Sequence, residues 1–201
     1  MTQDIILFYR PTGYYGSFSN WYPCKFTYLD ITYTSTEQYM MYQKAILFHD
    51  YETAEQILKE TDLGKIKRLG RQVKNCDDDR WALARRQVVK RAVKAKFIQN
   101  THLQEILLHT KNALLAEASP RDLIWGIGLD INDIKAANPN NWKGDNLLGE
   151  ILMEVRNEIN KTINYSTNHI INLVPNTTHF PHNYLFHKTF NEYFKSMKQV
   201  K

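Results

Sequence analysis

The chain has 201 residues, enough for one domain with a sizeable core. It is 43% hydrophobic and 23% charged, the balance of an ordinary globular protein, not of a disordered or fibrous one. No apolar run approaches the ~20 residues that span a bilayer, and no basic segment precedes the short apolar stretch after Asp4, so neither a membrane anchor nor a signal peptide is expected. Cys24 and Cys76 are too few for a disulfide framework or a zinc site, and a cytoplasmic setting is the expectation. The net charge of +5 is uneven: residues 162–201 carry four lysines against Glu192, and residues 1–161 are nearly balanced. Much of the basicity therefore belongs to the tail, which weakens it as a sign of nucleic-acid binding.

Ile5 to Tyr9 predicts a first strand, and Phe26–Leu29 with Ile31–Tyr33 predicts a short hairpin about Asp30. A helix is expected over Thr34–Phe48, with Thr34 as N-cap and Glu37 completing a capping box. Thr53–Glu60 is expected to be helical. Arg80–Gln99 gives the clearest pattern, with Trp81, Ala84, Val88, Ala92 and Ala95 three or four apart. Leu103–Leu108 predicts a shorter helix. Asn146–Ile159 repeats Leu148, Leu152, Val155 and Ile159 on one face, against Glu150, Glu154 and Arg156. Between these helices Ala118–Gly144 is rich in Pro, Gly, Asn and Trp, and a loop that long inside a domain is more often functional than idle. The expected fold is α+β: a predominantly helical single domain over residues 1–161 with a small N-terminal β-sheet. A C-terminal extension, 162–201, has a predicted helix over Asn183–Lys198.

Several groups of residues have chemical potential. Glu37 and Lys44 stand two helical turns apart with Met41 between them, so they project from one face. A lysine near a carboxylate can be activated as a nucleophile or Schiff-base former; the plainer reading is a capping glutamate and a surface lysine. Glu117-Ala-Ser119-Pro-Arg-Asp122-Leu-Ile-Trp125-Gly126-Ile-Gly128 combines two carboxylates, a hydroxyl and a stacking face with glycines that let a ligand approach the backbone. It is neither a dinucleotide fingerprint nor a phosphate loop, so no nucleotide cofactor is expected. Ser19, Asn20 and Trp21 follow the first strand in an ordinary turn or a binding loop, and Arg71 after Gly70 can clamp a phosphate. Trp81 reads first as helix core. Arg80, Arg85, Arg86, Lys90, Arg91, Lys94 and Lys96 read as a solvated face or as a phosphate-contacting stripe. No His or Cys cluster with metal-ligand spacing occurs, so no metal is expected.

Taken in order, these pieces resemble the NADAR superfamily, which includes the YbiA-like N-glycosidases. The resemblance rests on Phe8-Tyr9; Phe18-Ser19-Asn20-Trp21; Tyr33-Thr-Ser-Thr-Glu37-Gln-Tyr39 through Gln43-Lys44-Ala45; Gly70-Arg71; Trp81; Lys96-Phe97; the Glu117–Gly128 segment; and Trp142-Lys-Gly144-Asp-Asn146-Leu-Leu-Gly149. It covers roughly residues 5–159. Gln38 stands where His is common in the family, and Asp145 where Lys is common.

The resemblance implies a hydrolase that cleaves the N-glycosidic bond of a ribosylated base. That substrate would be either ADP-ribosylated guanine, in a nucleotide or nucleic acid, or a small ribosylated pyrimidine of riboflavin synthesis. It implies Lys44 as a covalent catalyst, and Glu37 and Asp122 as catalytic carboxyls. Ser19, Asn20, Tyr39, Arg71, Trp81, Glu117, Ser119, Trp125, Gly126, Gly128 and Asn146 would contact the substrate. A module that binds ADP-ribose or a related nucleotide without turnover is the competing reading.

Overall fold

A computed structural model describes the backbone of residues 4–173 and the side chains of residues 4–165. The chain divides into two compact units, Met1–Lys161 and Thr162–Lys201. The helix predicted over Asn183–Lys198 lies outside the described residues. The fold is α+β, with six helices and two small sheets among the described residues.

Strand β1, Ile5–Phe8, pairs in parallel with β4, Leu114–Glu117, in the register Ile5↔Leu114 to Phe8↔Glu117. The sequence pattern hides β4, because four residues between a helix and a loop carry no alternation long enough to register. The hairpin forms as expected from β2, Phe26–Tyr28, and β3, Ile31–Tyr33. Leu29 and Asp30 turn it with φ of 47° and 62°, the left-handed pair that matches strand twist in a two-residue loop.

Helix α1, Thr36–Leu47, differs from its sequence expectation at its start. The N-cap is Ser35, whose side chain accepts from the Gln38 N–H at 3.1 Å, and Thr34 lies outside the helix. Gln38 Oε1 reaches back to the Thr34 N–H at 2.8 Å, so the box is Ser35 with Gln38. Gln38 Nε2 also donates to the Ile57 and Glu60 carbonyls, tying α1 to the end of α2, Tyr51–Lys59. Glu37 is thereby released from capping.

Helix α3, Leu63–Arg71, was not visible in the sequence because Lys65, Lys67, Arg68 and Arg71 leave it few apolar residues. Helix α4, Asp78–Gln99, starts two residues earlier than expected because Asp77 caps it. Helix α5 spans Thr101–His109. Helix α6 begins at Leu147 and runs to Leu173, well past the expected end at Ile159.

An aromatic cluster joins the hairpin to α1 and α4: Phe26, Tyr33 and Tyr39 pack with Val88, Ala92 and Ala95. The basic face of α4 is largely spent within the fold. Arg86 pairs with Glu154, Lys90 with Glu154 and Glu158, and Lys94 with Glu158, a ladder between α4 and α6. Arg80 stacks on Phe48 and Lys96 is buried. Of the seven basic residues, Arg86, Lys90 and Lys94 are thus paired within the fold and Lys96 is enclosed, while Arg80 and Arg91 are exposed.

Helix α6 and the residue just before it, Asn146, fix β4 at both ends. Arg156, buried, donates to the Ala113 carbonyl at 2.9 Å and to Thr110 Oγ1 at 2.7 Å. Asn146 donates to the Leu115 carbonyl at 2.9 Å and accepts from the Glu117 N–H at 3.0 Å. Gly149 lets the helix come this close, since a Cβ there would lie 2.1 Å from the Leu115 carbonyl oxygen. We predict that Gly149→Ala destabilises the protein by about 1–3 kcal/mol, the usual cost of overpacking a close contact, read as a lower urea midpoint with an unchanged m-value.

Candidate active site

Three carboxyl groups from three parts of the chain share one electrostatic neighbourhood. Glu37 is on the first turn of α1, Glu117 ends β4, and Asp122 lies in the loop beyond it. Glu37 is 3% exposed, and its Oε1 is sealed with no hydrogen-bond partner. Glu117 is partly covered as a residue, but its Oε2 is likewise sealed and unpartnered. A buried carboxyl with an unpartnered oxygen resists ionisation. Desolvation pushes Glu37 up to about 7, reinforced by Asp122 and opposed by Lys67, a hydrogen bond from Trp21, and Arg71. Desolvation pushes Glu117 up to about 8, reinforced by Asp122 and Glu37 and opposed by Lys67. Two carboxyls that change charge near neutrality, in one place, are suited to holding and moving protons.

The backbone around them is built to keep them there. The Glu37 N–H donates to the Asn20 carbonyl at 2.9 Å, joining α1 to the turn after Phe18. Ser19 Oγ accepts from the Trp21 N–H at 3.2 Å. Ser19 and Asn20 are buried, and Asn20 Oδ1 has no partner. Asp122 accepts from the Ile124 and Trp125 N–H groups at 3.0 and 2.8 Å, so this carboxylate shapes its own loop as well as facing its neighbours electrostatically. Gly126 lies where a Cβ would meet the Glu117 carbonyl at 2.7 Å, and Gly128 has φ of +69°. The loop carbonyls of Ile124 and Trp125 accept from Leu147 and Leu148, satisfying N–H groups at the start of α6. The long loop is thus an ordered part of the site's frame.

Not every residue expected at the site stands with the carboxyls. Lys44 is half-buried, two turns along α1, with its Nζ 5.9 Å from the centre of the Trp81 ring. Trp81 is both packed against the aromatic cluster and open to that amine. Arg71 is exposed at the end of α3, and its charge reaches Glu37. Tyr39 is fully buried against Tyr28 and Tyr33, so the structure gives it a packing role. Asn146 commits its amide oxygen and nitrogen to β4, so it braces Glu117 from behind. Ser119 and Trp125 flank Asp122, with Ser119 buried.

Lys67 and Trp21 enter the site although the sequence pattern alone did not single out their roles. Lys67 Nζ lies 5.5 Å from the centre of the Trp21 ring, and its charge acts on both glutamates. The signal in the sequence was its spacing of four from Arg71, which puts both cations on one side of a helix. Among the described residues no group of three or more His, Cys, Asp or Glu side chains is disposed to hold a metal ion. Two clefts lie apart from these carboxyls. One of about 360 Å³ is lined by Tyr9, Arg10, Tyr14, Tyr15 and Asp130. The other, of about 470 Å³, is lined by Lys59, Lys65 and Arg68.

Removing the Lys67 charge should raise both glutamate midpoints, because that cation favours the ionised form of each. Carboxyl ¹³C titration of Lys67→Met by NMR is expected to show Glu37 and Glu117 moving together to higher pH. Movement of neither would exclude this electrostatic role.

The family is visible at the level of the whole domain. The NADAR domain profile matches residues 7–160. Protein irg-1 of Caenorhabditis elegans is 41% identical over 171 residues, covering 77% of this chain and 79% of that protein. N-glycosidase R617 of Acanthamoeba polyphaga mimivirus is 42% identical over 144 residues, covering 69% of this chain and 85% of its own length. The NMR structure of the Escherichia coli protein YbiA superposes with a TM-score of 0.66 at 29% identity, over 90% of this chain and 94% of that one. With its ordered motifs, its carboxyl cluster and this match over most of its length, the chain belongs to the NADAR family.

Proposed function

We propose that the protein is an N-glycosidase that hydrolyses the bond between a ribosyl group and a base. The observation that carries this reading is the pair of glutamates with sealed oxygens, Glu37 and Glu117, poised to exchange protons near neutral pH. The relatives named N-glycosidase support the same chemistry.

Cleavage of a ribosyl–nitrogen bond needs a proton for the departing nitrogen and a nucleophile at the anomeric carbon. Glu117, which holds its proton to the higher pH, is the better acid for the leaving base. Glu37, which ionises first, is the better proton acceptor. Lys44 supplies an amine that adds at the anomeric carbon as the bond to nitrogen breaks. Its proton passes to a carboxylate, and ring opening gives an imine. Water then adds to the imine, releasing the sugar and regenerating the amine, so the sum is one water consumed and one base released. Along α1, Glu37 and Lys44 are separated by about 10 Å of helix rise, so a ribosylated base lying on that face reaches both groups. Trp81 gives this face an aromatic wall beside Lys44, and Arg71 offers a cation for a phosphate of the substrate.

The substrate class follows from the same groups: a ribosylated base with an anionic substituent. ADP-ribosylated guanine, free or in nucleic acid, and a phosphorylated ribosylamino-pyrimidine of the riboflavin route both fit. A side-by-side assay of base release from the two decides between them. Release from neither, with binding of ADP-ribose, would replace the enzyme by a binding module.

Two outcomes are expected once the substrate is fixed. Turnover should persist in EDTA, and Glu37→Gln should lower it by about 10²–10⁴-fold, the usual contribution of a positioned acid–base group. Lys44→Arg should abolish turnover with the fold intact, because arginine stays protonated and forms no imine. Borohydride added during turnover should leave the sugar fragment attached to Lys44, read by peptide mass. Near-normal activity of Lys44→Arg would leave the carboxyls to activate water directly.

A further inference from the structure

Lys96 is the least expected residue in the core. It sits on α4, 1% exposed, between Ala95 and Phe97. Among the described residues it has no carboxylate partner. Its Nζ lies 5.4 Å from the Tyr22 ring centre and 5.5 Å from that of Phe97. Its hydrogen bond goes to the Ser19 carbonyl, at 3.0 Å, across 77 residues of sequence. Removing an ammonium from water is costly, and an apolar residue of the same shape would avoid that cost. Burial duly pushes the amine down to about 8, with the Cys24 thiol the one group opposing that shift.

Ser19 begins the turn that carries the site's other wall. Its carbonyl also accepts from the Tyr22 N–H at 3.2 Å, closing the turn, while its hydroxyl holds the Trp21 N–H. The next carbonyl, of Asn20, receives the Glu37 N–H, and the Trp21 side chain hydrogen-bonds Glu37. The amine therefore grips the first residue of a four-residue turn whose third residue touches the sealed glutamate.

We infer that Lys96 is a positioning residue: through the Ser19 carbonyl it holds the Ser19–Tyr22 turn so that Trp21 can donate to the Glu37 carboxyl and the Asn20 carbonyl can accept the Glu37 N–H. This inference rests on the N-glycosidase reading for its catalytic consequence, but not for its structural one. The groups that face Glu37 are Trp21 from the turn, Lys67 and Arg71 from α3, Asp122 from the loop, and Glu117, whose own protonation feels Glu37. Lys96 acts on Glu37 only by way of the turn.

The test is a double-mutant cycle read on the Glu37 carboxyl by ¹³C NMR titration, which needs no substrate. Lys96→Met removes the amine and keeps the length of the side chain. It should raise the Glu37 midpoint, because the Trp21 bond that favours the carboxylate is loosened. Trp21→Phe should raise it as well. Combined, the two should give no more than Trp21→Phe alone, since both remove one route. An additive shift would overturn the inference, because Lys96 would then act as a distant charge; no shift in Lys96→Met would overturn it too. Lys96→Leu is carried through the same cycle as an independent apolar replacement, so a folding failure of one variant leaves the other to decide.

With substrate, Lys96→Met should lose on the order of tenfold or more in kcat/KM, as an ångström of displacement can cost up to about a hundredfold. Its melting temperature should not fall, because a buried charge has been replaced by an apolar side chain. Loss of stability with full activity per folded molecule would make Lys96 merely structural and end the inference. Wild-type protein without turnover would instead count against the N-glycosidase reading and leave the NMR cycle intact.

Discussion

The parallel pairing of β1 with β4 is the constraint on which the site depends. It brings Ile5–Phe8 alongside Leu114–Glu117, and each strand then delivers one wall. Past β1 the chain turns through Gly16–Phe18 into Ser19, Asn20 and Trp21. Past β4 come Glu117 and the loop of Asp122 and Trp125. A two-stranded parallel pair has little stability of its own, because every residue is at an edge. The protein compensates from α6 and the residue just before it, where Arg156 and Asn146 place their hydrogen bonds on the turn that feeds the strand and on the strand itself. A helix that looked like simple packing is thus also the brace behind a carboxyl.

Charge in this molecule is sorted by what it faces. On the outer side of α4, Arg86, Lys90 and Lys94 meet Glu150, Glu154 and Glu158 of α6, with each glutamate one turn beyond the last. Partly exposed pairs of this kind contribute at most about 1 kcal/mol each, yet together they set the register of two long helices. Around Glu37 and Glu117 the rule is reversed. Oxygens there are left without partners, and cations act from further away. The first arrangement stores stability; the second holds protons loosely enough to be moved.

Regular apolar spacing makes α4 and the first part of α6 legible, and a capping signal does the same for α1; all three lie within a few residues of expectation. The domain's family motifs pointed to Glu37, Lys44, Glu117 and Asp122 before any fold was known. What stayed hidden has physical causes. β4 is too short to alternate, and α3 is nine residues with two glycines and four cations, so its Leu63–Ile66–Leu69 stripe is too short to register as a helix. Thr34 and Ser35 are both good caps, so the pattern alone places the start of α1 one residue early. Only the geometry shows Gln38 completing the box, which turns Glu37 from a capping residue into a buried acid. Tyr39 and Asn146 share motifs with the site, yet one fills the core and the other holds a strand.

The span between the two partners in the parallel pair also bears on how the chain reaches its native state. Ile5 and Leu114 must meet across α1 to α5, and closing so long a loop costs entropy before the pairing repays any of it. The hairpin and the packing of α1 against α2 and α3 involve neighbours in sequence and carry no such penalty. The pairing is therefore expected among the later events of folding, visible in pulsed hydrogen exchange as delayed protection of the Leu114 and Ala118 amides, which donate to the Asp4 and Phe8 carbonyls. Until it forms, Glu117 has no neighbour in Glu37, and a nascent or partly folded chain would carry all of these residues without yet having a place to do chemistry.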